Sequence, residues 1–256
     1  MHEGIHKLIR ASDSASPNFP PTLVYNEGWM LRLILDWFSR AANVDHPLAF
    51  QPGARWFSEA LLPTPFRARK RGDSRAEART HADGLVGHFA LASGAKADAQ
   101  LLPEATQLLI LEAKMFSPLS GGTRNAPSFN QAARSAACMA EMHRRAGHSP
   151  QAMTSLGFFV LAPETIVATG AFASTLEKEA IRLAVALRAD AFRSELTHWL
   201  EAWFVPALER MRIEALPWED LIRHIASVDP ASASELEAFY QLCLRHGERG
   251  SVSLHA

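Results

Sequence analysis

Leu108-Leu109-Ile110-Leu111-Glu112-Ala113-Lys114 is an apolar run that ends by delivering a carboxylate and an amine side by side. The apolar part suits a buried strand, and the two-residue alternation of a strand places Glu112 and Lys114 on one face. Two adjacent charges answer no structural need there, because each costs free energy to desolvate unless something compensates it. A divalent metal at Glu112 and an anionic substrate at Lys114 would compensate both, which makes this a candidate active-site strand. The local alternative is a strand-end Glu–Lys ion pair, since Glu-x-Lys is short and recurs by chance.

The natural partner of the pair lies upstream, in Arg79-Thr80-His81-Ala82-Asp83-Gly84. Asp83 to Leu91 alternates partially and suits a strand opened by Asp83, with Gly84 allowing close approach of the backbone to a ligand. Two carboxylates at the ends of neighbouring strands can hold Mg²⁺, a hard cation that takes oxygen ligands and keeps several waters. An Asp in a turn is the alternative for Asp83. Asp98 and Glu104 compete for the position opposite Glu112, but both lie in a polar stretch without apolar flanks. His81 points to the Asp83 face if the strand begins early, whereas His143 and His148 lack zinc-like spacing and read as surface residues.

The remaining chain supplies context. At 256 residues, with 48% apolar and 21% charged side chains, it has the composition of a globular protein. It can hold one large domain, or a core with a helical appendage. No apolar run approaches the ~18 residues of a membrane helix. The N-terminal residues, with His2, Glu3 and His6, lack the form of a signal peptide. Cys138 and Cys243 are far apart in sequence and read as free buried thiols in a reducing compartment. A cytoplasmic protein that does not engage a membrane is therefore expected. The net charge of −1 gives no global sign of a polyanion partner. Basic residues nevertheless crowd Arg67, Arg69, Lys70 and Arg71, either a solvated loop or a phosphate-contacting surface.

Residues up to Pro21 are rich in Ser, Pro and Asp and read as an arm. A helix is predicted from Tyr25 to Arg40, with Asn26 as its cap and Met30, Leu33, Ile34, Trp37 and Phe38 as its apolar stripe. Residues 43–79 read as irregular, and Ser93 to Gln107 as a polar hairpin excursion. Ser117 to Pro127 is a loop containing Gly121-Gly122 and Arg124, without the full pattern of a nucleotide-binding P-loop. A helix from about Phe129 to Ala146 ends at Gly147, and Leu156 to Leu161 is a short apolar strand. From Ser174 onward the chain reads as helical, with capping-box patterns at Ser174/Glu177 and Ser232/Glu235 and a break or kink at Pro206. The order implies an α/β core followed by a helical layer.

This order resembles the PD-(D/E)xK nuclease superfamily: a helix with an acidic residue (Glu27), a strand with Asp83, a strand with Glu112-Ala113-Lys114, a helix carrying Gln131, and a further strand. The resemblance covers roughly Tyr25 to Ala162, with Ala82 where the motif's name has Pro. It implies a restriction-endonuclease-like α/β fold, a mixed sheet flanked by helices. The divisions expected are an arm over residues 1–21, a nuclease core over 22–170 and a helical extension over 171–256. It also implies Mg²⁺- or Mn²⁺-dependent phosphodiester hydrolysis, most naturally of DNA, in a prokaryotic defence or repair setting. Asp83, Glu112 and Glu27 would bind metal, and Lys114 and Gln131 would assist catalysis. Arg134, one turn after Gln131, and Arg124, Arg69, Lys70 and Arg71 would contact nucleic acid. Two of these have local explanations as well. Glu27 suits the positive end of a helix dipole, and Gln131 follows Ser128 at capping-box spacing. The alternative function is a catalytically silent protein of this fold that regulates or assembles, using the C-terminal helices to dimerise or to engage a partner protein.

Overall fold

The computed structural model describes residues 9, 11, 12, 14, 18–42, 44–68, 73, 76, 77, 80–92, 98–122, 126–192 and 196–252, with side chains to residue 247. The chain forms α1 (Glu27–Arg40), β1 (Arg55–Leu62), β2 (Thr80–Gly87), β3 (Phe89–Leu91), β4 (Ala99–Leu101), β5 (Gln107–Ala113), α2 (Gln131–Ala146) and β6 (Ser155–Ala162). Then come α3 (Glu164–Ala168), α4 (Ala173–Leu176), α5 (Lys178–Phe192), α6 (Leu196–Trp199), α7 (Val205–Arg210), β7 (Arg212–Pro217), α8 (Trp218–Val228) and α9 (Pro230–Val252).

Five strands make one mixed sheet in the order β1-β2-β5-β6-β7, and β3 pairs with β4 in a separate ribbon. β5 is central: it is antiparallel to β2 and parallel to β6, which is itself parallel to β7. All seven of its residues are buried, as expected of a strand covered on both faces. Leu108 and Ile110 join Leu85, Phe158 and Val160 against α2, α5 and α7. Leu109, Leu111 and Ala113 join Val86, Phe159 and Leu161 against α1, α8 and α9. Each layer can be read from its helix. In α1, Met30, Leu31, Ile34, Leu35 and Phe38 are buried at helical spacing, and the Asn26 side chain accepts from Trp29 N at 3.0 Å. In α2 small alanines let the helix lie close to the sheet, and Gly147 ends it at φ 61°. Cys138 and Cys243 are both free and buried.

Several expectations need correction. The segment from residue 171 is not a purely helical extension, because β7 completes the main sheet beside β6. A division at residue 170 would therefore cut through one sheet. Arg212-Ile213-Glu214-Ala215-Leu216-Pro217 gives little strand signal of its own; it is a half-buried edge strand that the β6 backbone recruits. β1 likewise falls inside the stretch read as irregular. The left-handed backbone of Glu59 interrupts the alternation that would have exposed it. Asp83 sits in the middle of β2, not at its start. Asn130, not Ser128, caps α2, its side chain accepting from Ala133 N at 3.0 Å, so capping does not explain Gln131. Neither capping-box pattern starts a helix: α5 begins at Lys178, and Asp229 precedes α9 and accepts from Ser232 N at 3.1 Å. His143 is buried, not superficial. Pro206 does not end a helix but lies in the first turn of α7, directly after a π-helical turn, Leu200–Phe204, that joins α6 to α7. Among the described residues, no helix is long and apolar enough to cross a membrane.

Candidate active site

The pairing of β2 with β5 runs in register through Gly84–Leu111, which puts Asp83 opposite Glu112. There the strands part. The Asp83 carboxylate replaces the next backbone partner, its Oδ2 accepting from Ala113 N at 2.8 Å. On the other side of β5 the parallel ladder continues one residue further, with Lys114 N donating to Leu161 O at 2.8 Å. The Lys114 carbonyl accepts from the Trp218 indole at 3.0 Å. Strand divergence thus opens a gap at Asp83, while β6 and α8 hold Lys114 beside it.

Into this gap the three charged side chains converge. Lys114 Nζ lies 3.9 Å from Asp83 Oδ2 and 3.8 Å from Glu112 Oε2. Asp83 keeps 29% of its side-chain surface and Lys114 keeps 12%, whereas Glu112 keeps none. Burial, and next the charge of Asp83 within hydrogen-bonding reach, push the Glu112 carboxyl well above the usual range; Lys114 and Arg134 act in the opposite direction. One oxygen of Glu112 accepts from the Gln131 side-chain amide. The other, Oε1, is buried and has no hydrogen-bond partner among the described residues.

Gln131 is itself fixed from behind. Its Oε1 accepts from Ser120 N at 3.0 Å, and its backbone N–H donates to Ser120 O at 3.0 Å. Arg134, one turn on, donates to Ser120 Oγ. The loop before α2 is therefore tied to the helix that completes the site. The role of Ser120 has no signal in the sequence, because its contacts are mostly through backbone atoms.

Asp83, Glu112, Lys114 and Gln131 are thus brought together, with Arg134 at their border. Glu27 is not. It starts α1 on the opposite face of the sheet, where burial, and next the Glu27 charge, pushes up the Cys243 thiol. Among the described residues it makes no hydrogen bond or ion pair with the cluster. Arg69, Lys70, Arg71 and Arg124 lie outside the described residues.

A further acid was not anticipated. Glu59 lies between the Ser58–Gly84 and Ala60–Ala82 pairs, and so opposite Asp83. Glu59, Asp83 and Glu112 consequently form a row across β1, β2 and β5. Glu59 adopts φ 60°, a left-handed conformation that costs roughly 1–3 kcal/mol for a residue other than glycine. It pairs with Arg32 of α1 at 3.7 Å. Nothing local in Ser58-Glu59-Ala60 announces this backbone.

The donor set suits a hard divalent cation: two carboxyl groups meet, and one buried carboxyl oxygen is left without a partner. No cluster of three or more His, Cys, Asp or Glu side chains able to hold a metal occurs among the described residues. Two carboxylates are nevertheless enough for Mg²⁺, which completes its shell with water and substrate oxygens. Comparisons with protein-family models, with curated proteins and with solved structures found no match for this chain.

Proposed function

We propose that this chain is a metal-dependent nuclease of the PD-(D/E)xK kind, hydrolysing phosphodiester bonds, with DNA the first substrate to test. The observation that carries the reading is the meeting of Asp83 and Glu112 at Lys114, with Glu112 Oε1 buried and unpartnered. A buried acid whose oxygen faces no donor stores unfavourable free energy, and a cation offers a physical reason for keeping it. Asp83 and Glu112 would hold the metal. When bound, a divalent cation supplies Lewis-acid polarisation of a phosphoryl oxygen and lowers the pKa of bound water. Lys114 presents a positive charge beside both acids, where it orients a water or balances charge growing on the phosphate in the transition state. Gln131 holds the Glu112 carboxyl in one orientation. Arg134 offers a guanidinium for a phosphate neighbouring the scissile one.

One observation favours a second reading, a silent protein of the same fold. Asp83 already accepts the Ala113 N–H, and Lys114 pairs with both acids, so the trio also closes the splayed end of β2 and β5. The experiment that separates the two is incubation with plasmid, single-stranded DNA and RNA in Mg²⁺, Mn²⁺ or EDTA. The nuclease reading expects metal-dependent cleavage that drops by roughly 10²-fold or more in Lys114→Ala, with the variant folded. Equal cleavage by wild type and Lys114→Ala would sink it.

A further inference from the structure

Among the described residues, Trp29 and Phe116 are the large aromatic side chains left well exposed, at 45% and 40%. Both lie at the end of the molecule that carries the carboxylates. The far end of α1 fixes this placement. Phe38 packs on His46, and His46 shares a cavity with Leu109, Ser155 and Leu156 at the entry ends of β5 and β6. The start of α1 therefore lies at the opposite end, where β5 delivers Glu112 and Lys114. Phe116 follows Lys114 by two residues and packs against Gly247 of α9. One turn earlier on α9, Cys243 contacts the carbonyl of Asn26 at the start of α1. The Cys243–Gly247 turn of α9 thus bridges the start of α1, where Asn26 caps Trp29 N, to Phe116.

Trp29 is also linked to the acidic row by charge. The Arg32 guanidinium stands over its ring, 5.1 Å from the centroid, and reaches Glu59, the residue opposite Asp83. An indole face carrying a guanidinium matches the two parts of an unpaired nucleotide, a flat base and an anionic phosphate. An intact duplex offers the phosphate but not the base face, because its bases are already stacked on one another. We infer that Trp29, Arg32 and Phe116 form a stacking platform for unpaired nucleotides on the α1 face, at the end of the sheet where β5 delivers Glu112 and Lys114, so that the substrate is a single strand, a flap or a frayed end reaching the Asp83–Glu112 centre past that end. This inference rests on the nuclease reading for its substrate but not for its test.

Binding is measured by fluorescence anisotropy in EDTA, where no cleavage occurs, using the full chain with labelled oligothymidylate, oligouridylate and a blunt DNA duplex. The wild type should bind a single strand more tightly than duplex, and the two single-strand probes decide between DNA and RNA. Trp29→Leu and Phe116→Leu keep apolar volume but remove the π-face. Each should weaken single-strand binding by about 5- to 100-fold and leave duplex binding unchanged, whereas Trp29→Phe should retain most of it. Circular dichroism establishes that each variant is folded. Unchanged single-strand affinity in both leucine variants, a wild-type preference for duplex, or no binding to any probe overturns the platform. Cleavage is scored separately. Metal-dependent cleavage with unaffected leucine variants removes the platform and leaves the nuclease reading, while Trp29-dependent binding without cleavage does the reverse.

Discussion

Glu112→Gln separates the two readings by the sign of its effect on stability. In the wild type a carboxyl with no exposed surface keeps one oxygen unpartnered and sits beside a second acid, Asp83. Glutamine has the same shape. Its carbonyl can accept from Gln131 or Lys114, and its amide can donate to Asp83 without the proton that two acids in contact must share. Lys114 keeps Asp83 as its counter-ion. If Glu112 is retained for a ligand, the substitution should stabilise the metal-free protein by about 1–2 kcal/mol, the scale of relieving one unsatisfied buried group. At ~2–4 °C per kcal/mol for a chain of this size, the melting midpoint should rise by about 2–8 °C. If the Glu112–Lys114 pair is structural, removing one partner of a buried pair should instead destabilise by ~3–5 kcal/mol. The assay is thermal and urea unfolding of both proteins in EDTA and in Mg²⁺. Mg²⁺ should raise the wild-type midpoint by mass action and leave Glu112→Gln unmoved. A variant that melts below wild type in EDTA would refute the reasoning.

Gln131→Ala frees the Glu112 carboxyl without removing it. It should weaken Mg²⁺ binding or metal-dependent cleavage by roughly 10- to 100-fold, read by titrating cleavage rate against Mg²⁺; an unchanged metal dependence removes Gln131 from the site. His143 makes a pH prediction. Its Nδ1 hydrogen-bonds the His148 carbonyl at 2.9 Å while Nε2 is buried without a partner among the described residues, and burial holds its pKa down at about 4. The folded value lies below the unfolded one, near 6.5. The stability contributed by His143 is therefore complete above pH ~6.5 and is lost as pH falls toward 4, by up to about 3 kcal/mol. Urea midpoints across that range should fall more steeply for wild type than for His143→Gln. His46, also held down to about 4, contributes equally to both, so identical slopes would remove His143 from the account.

Features with a local cause are legible in the sequence. The Leu108–Leu111 run states burial on both faces, Asn26 with the Met30–Phe38 stripe states a capped amphipathic helix, and Gly147 marks the end of α2. Each depends on residues within a turn or two. Asp83, Glu112, Lys114 and Gln131 could be nominated from order alone, since a charged pair at the end of an apolar strand is unusual wherever it occurs.

Tertiary structure decided the rest. β7 is a strand because β6 offers it a free backbone edge, and no periodicity within Arg212–Pro217 encodes that partner. Glu59 takes a left-handed conformation because β1 and β2 are held in register on both sides of it, so the strain comes from pairing and not from its neighbours in sequence. Glu27, correctly placed at a helix start, lies on the face of the sheet away from Glu112, since helix packing assigns the face. Asp83 and Glu112 are 29 residues apart in the chain, and only the parting of β2 from β5 lets their carboxyls meet at Lys114.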